Sequence, residues 1–325
     1  MITTAQLREY LDASGVEYTS VAPLDGGTAN FVWRFEYENG GTAIVKHAEP
    51  FVKDNRAIAF PAERMDVEAM VLSSLPPVLA PADAVRMPAV HRYDAANHVL
   101  TMDDGGARTL KEAYTSLDVK PFGDALGKWL ASLHEATPEH DLGEGGNLAA
   151  RAIYRYSYAH LAGALEAFGQ DVGLGGRVDS EFGSLLQSDD EVVCHGDFWP
   201  GNVLIGADCK MTIVDWEMVR RGCGATDVAQ FAAEAFLLDK FRGEKGLLPA
   251  FLSAYRAAAG KPSREFFKRV AIHFGTHVAF WPTRVRWGTR EETAECVRLG
   301  AYVLQHALDD DWTWFEQGVL TALRP

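Results

Sequence analysis

Residues Val192–Gly206 read VVCHGDFWPGNVLIG, two short apolar runs (Val192–Cys194 and Val203–Ile205) around a turn that carries His195, Asp197 and Asn202. Pro200 and Gly201 suffice for a turn, so the three polar side chains need another reason. A third apolar run, Met211–Val214, ends at Asp215 in IVDWE. Two aspartates and an asparagine at the ends of neighbouring strands make an oxygen-only donor set. Such a set suits Mg2+, which takes hard oxygen ligands and keeps several waters. The spare aspartate is then free to accept a hydroxyl proton or orient a nucleophile. The competing reading is a β-hairpin whose Asp and Asn only make turn hydrogen bonds. It fits each residue alone but not the whole set with its H-x-D-x-x-x-x-N spacing.

The pattern around this stretch changes along the chain. Residues 3–14 have helical spacing with Thr3 or Thr4 as N-cap, and ENGG at Glu38–Gly41 predicts a hairpin between a strand at Phe31–Tyr37 and one through Ile44–Lys46. A helix is expected over 61–75, with Pro61 in its first turn, and short strands over 89–93 and 98–102. From about Arg108 the periodicity becomes helical, interrupted only by the apolar runs around the polar cluster. The 325 residues therefore divide into a β-rich part, 1–104, and a larger, mainly α-helical part, 105–325, an α+β chain of two lobes.

A net charge of −14 excludes a general nucleic-acid or anionic-membrane binder, which needs Lys and Arg against phosphate, and tilts toward a cationic small-molecule partner. Cys194, Cys209, Cys223 and Cys296 show no CxxC pairing, as expected of reduced thiols rather than a zinc site or disulfide framework. No apolar run approaches the ~20 residues of a membrane span, and no signal peptide is read at the N-terminus. The expectation is a cytoplasmic protein of undetermined oligomeric state.

HGDFWPGN with VDWE resembles the catalytic loop and metal-binding segment of the aminoglycoside phosphotransferase and choline kinase group, the small-molecule branch of the protein-kinase-like fold. The resemblance implies a bilobal kinase fold with ATP between the lobes, Mg2+ as cofactor and a small-molecule hydroxyl as acceptor. It assigns Asp197 as catalytic base, Asn202 and Asp215 as magnesium ligands, and His195 as a structural brace. Trp199 stands where protein kinases place Lys and many aminoglycoside phosphotransferases place His. DGGTANFVWRF with AIVKHAEPFVK also resembles the N-terminal lobe of methylthioribose kinases, although Asn202 departs from that family's loop.

A kinase needs further parts, and the N-terminal residues offer one for each. Gly26 and Gly27 form a turn whose backbone amides are able to approach phosphate. Lys46 ends an apolar strand and is a partner for the α- and β-phosphates. Glu68, beside the buried face of the next helix, pairs with it, while Glu63 and Asp66 face solvent. Met102, Asp103 and Asp104 form the connector whose backbone would meet adenine. Each has a plain alternative: a hairpin turn, an exposed strand-end lysine, an Asp-Gly turn. Trp199, Trp216, Trp281 and Trp287 are either core or the lining of a pocket for a cationic or planar acceptor. A nucleotide-binding pseudokinase scaffold, a protein kinase and a metal-dependent hydrolase are the rival readings.

Overall fold

A computed structural model describes residues 1–143, 147–261 and 263–324. Helix α1 (Thr4–Ala13) opens with a capping box: Thr3 Oγ1 accepts from the Gln6 amide while the Gln6 side chain accepts from the Thr3 amide. Then come β1 (Tyr18–Pro23), β2 (Phe31–Tyr37), β3 (Thr42–His47), a small hairpin of β4 (Phe51–Val52) and β5 (Asn55–Ala59), α2 (Arg64–Ser74), β6 (Val85–Arg86), β7 (Val90–Asp94) and β8 (Val99–Asp103). Five of these strands form an antiparallel sheet in the order β1-β2-β3-β8-β7.

Alternation along each strand sends successive side chains to opposite faces. Trp33, Phe35, Ala43 and Val45 pack with Leu7 and Leu11 of α1. Ile44, Leu100 and Met102 pack on the other side with Met65, Ala69 and Leu72 of α2. Burying a side chain of this size is worth about 1.5–3 kcal/mol, so this alternation fixes the register. Lys46, two residues beyond Ile44, shares the α2 face for that reason. The helix expected from Pro61 begins instead at Arg64. The amides of Arg64 and Met65 bond back three residues to Pro61 and Ala62, a tight turn that precedes the regular α-helix.

The rest of the chain runs β9 (Arg108–Thr109), α3 (Leu110–Ala113), α4 (Lys120–Ala136), α5 (Leu148–Tyr154), α6 (Tyr156–Ala159), α7 (Leu161–Glu166), α8 (Val172–Val178), β10 (Val192–Cys194), β11 (Val203–Ile205), β12 (Met211–Ile213), β13 (Arg220–Gly222), α9 (Ala225–Arg242), α10 (Leu247–Ala259), α11 (Arg264–Phe280) and α12 (Arg290–Leu308). Helices α4, α10, α9, α11 and α12 pack in that sequence of neighbours. A second sheet, β6-β12-β11-β9, carries the polar cluster at one end. The sequence reading placed β10 beside β11 and β12, but β10 pairs with β13 instead. The chain leaves β10 through Gly196 at φ +84°, where a Cβ would lie 2.0 Å from the Met218 carbonyl oxygen, so only glycine permits that departure. Among the described residues no helix is long and apolar enough to cross a membrane.

Candidate active site

The turn after β10 is built around a fully buried imidazole. The His195 Nε2 lies 3.1 Å from the Val214 carbonyl and its Nδ1 accepts from the Asp197 amide at 3.2 Å. One donor and one acceptor mean a neutral ring with its proton on Nε2, and burial lowers its pKa accordingly. The ring stacks obliquely on Trp216, centroids 4.4 Å apart. His195 thus ties the loop to the residue before Asp215 and is a brace in this geometry. A second brace was not foreseen from the sequence. Asp227, at the start of α9, accepts the amides of His195 (2.7 Å) and Gly196 (3.1 Å). Burial alone would raise its pKa, but His134 and Arg220 beside it hold it low.

Among the described residues, the Asp197 carboxylate is held by side-chain amides alone. Asn202 Nδ2 donates to its carboxylate at 2.8 Å and to its carbonyl at 2.9 Å. Gln230 Nε2, one turn along α9 from Asp227, donates to the other carboxylate oxygen at 2.7 Å. Burial and the nearby charge of Asp215 push the Asp197 pKa up to about 7, against the two amide donors. Gln230 is anchored in turn, since the Tyr154 hydroxyl lies 3.2 Å from its Oε1 and 2.9 Å from His273 Nε2, while Tyr158 lies 3.0 Å from His273 Nδ1. All atoms are satisfied when Tyr158 donates to His273, His273 to Tyr154 and Tyr154 to Gln230. The sequence signal for Gln230 was helical spacing: three and seven residues past Asp227, Gln230 and Glu234 share its face.

The second half of the site comes from the first sheet. Lys46 Nζ lies 2.7 Å from Glu68 Oε2 and 2.5 Å from Asp215 Oδ1, and Glu68 Oε1 accepts the Trp216 amide at 3.2 Å. Burial would strip the Lys46 proton, yet the charges of Asp215 and Glu68 outweigh it and hold the ammonium. The same contact lowers Asp215 despite its burial, and burial keeps Glu68 raised. Asp215 adopts φ +68°, a left-handed conformation uncommon outside glycine and held only where surroundings fix it. Among the described residues no side chain donates to Asn202 Oδ1 or Asp215 Oδ2. Two free, hard oxygens on neighbouring strand ends are what a Mg2+ ion requires of protein ligands.

Gly26 and Gly27 form an exposed turn between β1 and β2, Gly26 at φ +107°. Met102 and Asp103 lie inside the ladder, paired with Ile44 and Ala43, and the Asp103 amide donates to the Ala89 carbonyl. Asp104, the first residue beyond, is bound side chain to side chain by Arg34 at 2.6 and 2.9 Å. Of Trp199, Trp216, Trp281 and Trp287, Trp216 is fully buried and donates to the Ile213 carbonyl at 3.0 Å, so it is core. Trp199 and Trp287 are half-buried and bracket the Lys111 ammonium, 4.6 and 4.9 Å from their ring centroids. Trp281 lies near His277, whose Nε2 is 2.8 Å from the buried Glu234 carboxylate.

This fold is found in solved structures. A choline/ethanolamine kinase family protein from Mesorhizobium loti aligns with a TM-score of 0.58 over 100% of this chain and 99% of its own, at 18% identity. The choline kinase LicA from Streptococcus pneumoniae aligns with a TM-score of 0.57 over 93% and 98%, at 17% identity. In sequence the chain is 25% identical over 322 residues to the 4-hydroxytryptamine kinase of Psilocybe cyanescens, covering 90% of this chain and 88% of that one. The family model for the phosphotransferase enzyme family matches residues 20–268, the span that holds both sheets, the Lys46–Glu68–Asp215 ion cluster and the Asp197 loop, and the chain belongs to that family.

Proposed function

We propose that the chain transfers the terminal phosphoryl group of ATP to the hydroxyl of a small hydroxylated amine. The observation that carries this reading is one cluster in which a charged Lys46 bridges buried Glu68 and half-buried Asp215, while Asn202, just before the adjacent strand β11, holds the Asp197 carboxylate. Residues 1–104 form the nucleotide-binding lobe and 105–325 the catalytic and acceptor lobe. Lys46, kept in place by Glu68, neutralises the α- and β-phosphates. Gly26 and Gly27 present amides to the phosphates. Met102 and Asp103 have their backbone in the ladders with β3 and β7, so the adenine falls to the backbone from Asp104 onward. Asn202 Oδ1 and Asp215 Oδ2 would hold Mg2+, which when bound neutralises phosphate charge during transfer. Asp197, its pKa near 7, accepts the acceptor's hydroxyl proton at Oδ1 or Oδ2 as the new phosphorus–oxygen bond forms and the γ-phosphorus bond to the bridging oxygen breaks, releasing ADP.

Two features support an amine-bearing acceptor. Glu234 lies one helical turn beyond Gln230, a carboxylate only 8% exposed whose partner is a histidine. Trp199 and Trp287 hold an ammonium, that of Lys111, between their faces. The relative named 4-hydroxytryptamine kinase bears an acceptor of that class in its name. Four free cysteines, three of them buried, suit a reducing cytoplasmic setting.

An ATP-consumption screen over hydroxylated amines, aminoglycosides, sugars and homoserine tests the reading. The expected result is Mg2+-dependent turnover confined to amine acceptors and lost in Asp197→Asn. Binding of MgATP without turnover on any acceptor would favour a scaffold. Turnover on neutral sugars alone would remove the amine.

A further inference from the structure

Arg64, Asn30 and Glu217 are buried and take no part in the chemistry above, yet they join the three segments that surround the phosphates. Arg64 sits one turn before Glu68 on α2. Its Nη1 donates to the carbonyls of Phe60 (2.8 Å), Pro61 (2.8 Å) and Glu49 (3.0 Å). Its Nη2 donates to Asn30 Oδ1 at 2.8 Å and to the Ala29 carbonyl at 3.3 Å, and its Nε to Glu217 Oε2 at 3.0 Å. Asn30 Nδ2 closes the triangle on the same Glu217 oxygen at 2.6 Å. Asn30 ends the glycine turn, and Glu217 lies two residues past Asp215 in Asp-Trp-Glu. The two glycines touch little, since a Cβ built on Gly26 or Gly27 meets no atom within 4 Å, and past them the Thr28 and Ala29 carbonyls accept the Asp54 and Lys53 amides of the β4–β5 hairpin at 3.1 Å.

A glycine turn with no packing of its own takes its position from its ends. The upstream end is held by the Leu24 amide on the Val32 carbonyl, which is ordinary ladder pairing. The downstream end is held by backbone pairing to the β4–β5 turn, an exposed hairpin, and by Asn30, which ties it to a buried guanidinium and carboxylate from two other segments. We infer that Asn30, Arg64 and Glu217 are positioning residues, a clamp that sets the glycine turn at a fixed place relative to Asp215, so that the turn's amides and the metal-ligand segment address one nucleotide together. This rests on the nucleotide-binding reading given above. Because Arg64 and Glu68 are successive turns of one helix, α2 aligns the clamp with the Lys46 pair.

The test reverses the polarity of one bond. Asn30→Asp sets two carboxylates against each other, and Glu217→Gln removes the charge that Arg64 meets. Together, N30D/E217Q places at 30 a carboxylate that accepts both Arg64 Nε and Nη2, and at 217 an amide donor, so the 30–217 bond is restored with its donor direction exchanged while the Arg64–217 bond is given up. MgATP affinity is measured without acceptor, by thermal shift and by tryptophan fluorescence. Each single variant is expected to lose about tenfold in affinity, and the double to recover to within about threefold of the parent. Asn30→Ala, which deletes both contacts without new charge, serves where N30D does not fold and is expected to lose a similar factor. Singles that bind MgATP as the parent does would overturn the clamp. A double as weak as Glu217→Gln alone would do so as well, by showing that Glu217 acts directly. A parent chain that binds no MgATP would instead refute the nucleotide-binding reading.

Discussion

Asp197, in the loop between β10 and β11, and Asp215, just past β12, are half-buried neighbours in the site and differ in what touches them. Asp197 is held by two neutral amides, from Asn202 and Gln230, and is pushed up to about 7. Asp215 is held by an ammonium and is lowered. Burial acts on both in the same direction, so the difference comes from the partner. An amide can orient a carboxylate without neutralising it, which leaves the group able to take a proton near neutral pH. An ammonium keeps the other carboxylate ionised, as a cation ligand must be. Two like residues acquire opposite protonation behaviour by environment.

Substitutions that exchange these environments give the strongest tests. Asp197→Asn preserves shape and hydrogen bonding but cannot take a proton, and is expected to lower kcat about 1,000-fold with the Kd for MgATP little changed. Lys46→Met strips the cation from Asp215 and leaves Glu68 buried without its partner. The expected cost is about 3–5 kcal/mol of stability, read by chemical denaturation, together with weaker MgATP binding. Asp215→Asn should spare the unliganded fold and abolish stabilisation by MgATP, which in the parent amounts to about 2.7 kcal/mol at 100 times Kd. Gln230→Leu removes one amide from Asp197, and kcat should fall about tenfold without a matching rise in the KM for ATP.

The smallest effect concerns the support behind Gln230. His273 is buried between Tyr154 and Tyr158 and its pKa is held well below the ordinary 6.5 by burial. In the unfolded chain it takes a proton below about 6.5, while the folded state resists. The unfolded state then binds more protons, so stability falls as the pH falls, by about 1.4 kcal/mol per unit from this one group. The loss runs from about pH 6.5 down to the depressed folded value. His273→Gln should flatten the fall in melting temperature between pH 6.5 and 5.5 relative to the parent. An unchanged slope would mean that the ring is charged or solvated in the folded chain.

Much of this organisation was legible in the sequence because it rests on local rules. Strand alternation put Lys46 on the α2 face, the ENGG turn fixed the β2–β3 hairpin, and the strand boundaries at Phe31–Tyr37, Val192–Cys194 and Val203–Ile205 follow β-branched and aromatic runs. What escaped reading is non-local. Nothing near residue 194 says that β10 will pair with 220–222, because that depends on a left-handed Gly196 and a distant carbonyl. Asp227 and Gln230 lie thirty residues or so past the loop they hold, and only the fold brings α9 beneath it. Arg64 looks in sequence like a surface charge on a helix, since its partners at 30 and 217 are far away in the chain.

One small ladder bears on how the chain could be cut. Val85 and Arg86 run parallel to β12, the Ala84 carbonyl accepts the Met211 amide at 2.8 Å, and Arg86 Nε donates to Thr212 Oγ1 at 3.2 Å. A strand from before residue 104 is therefore woven into the sheet that presents Asn202 and Asp215. At the crossing itself, Gly106 at φ +132° lies so close to β11 that a Cβ would stand 2.5 Å from the Ile205 carbonyl oxygen. Scission of the peptide bond between Asp104 and Gly105 would leave two fragments still joined by a shared β-ladder, so fragments 1–104 and 105–325 should reassociate when co-expressed.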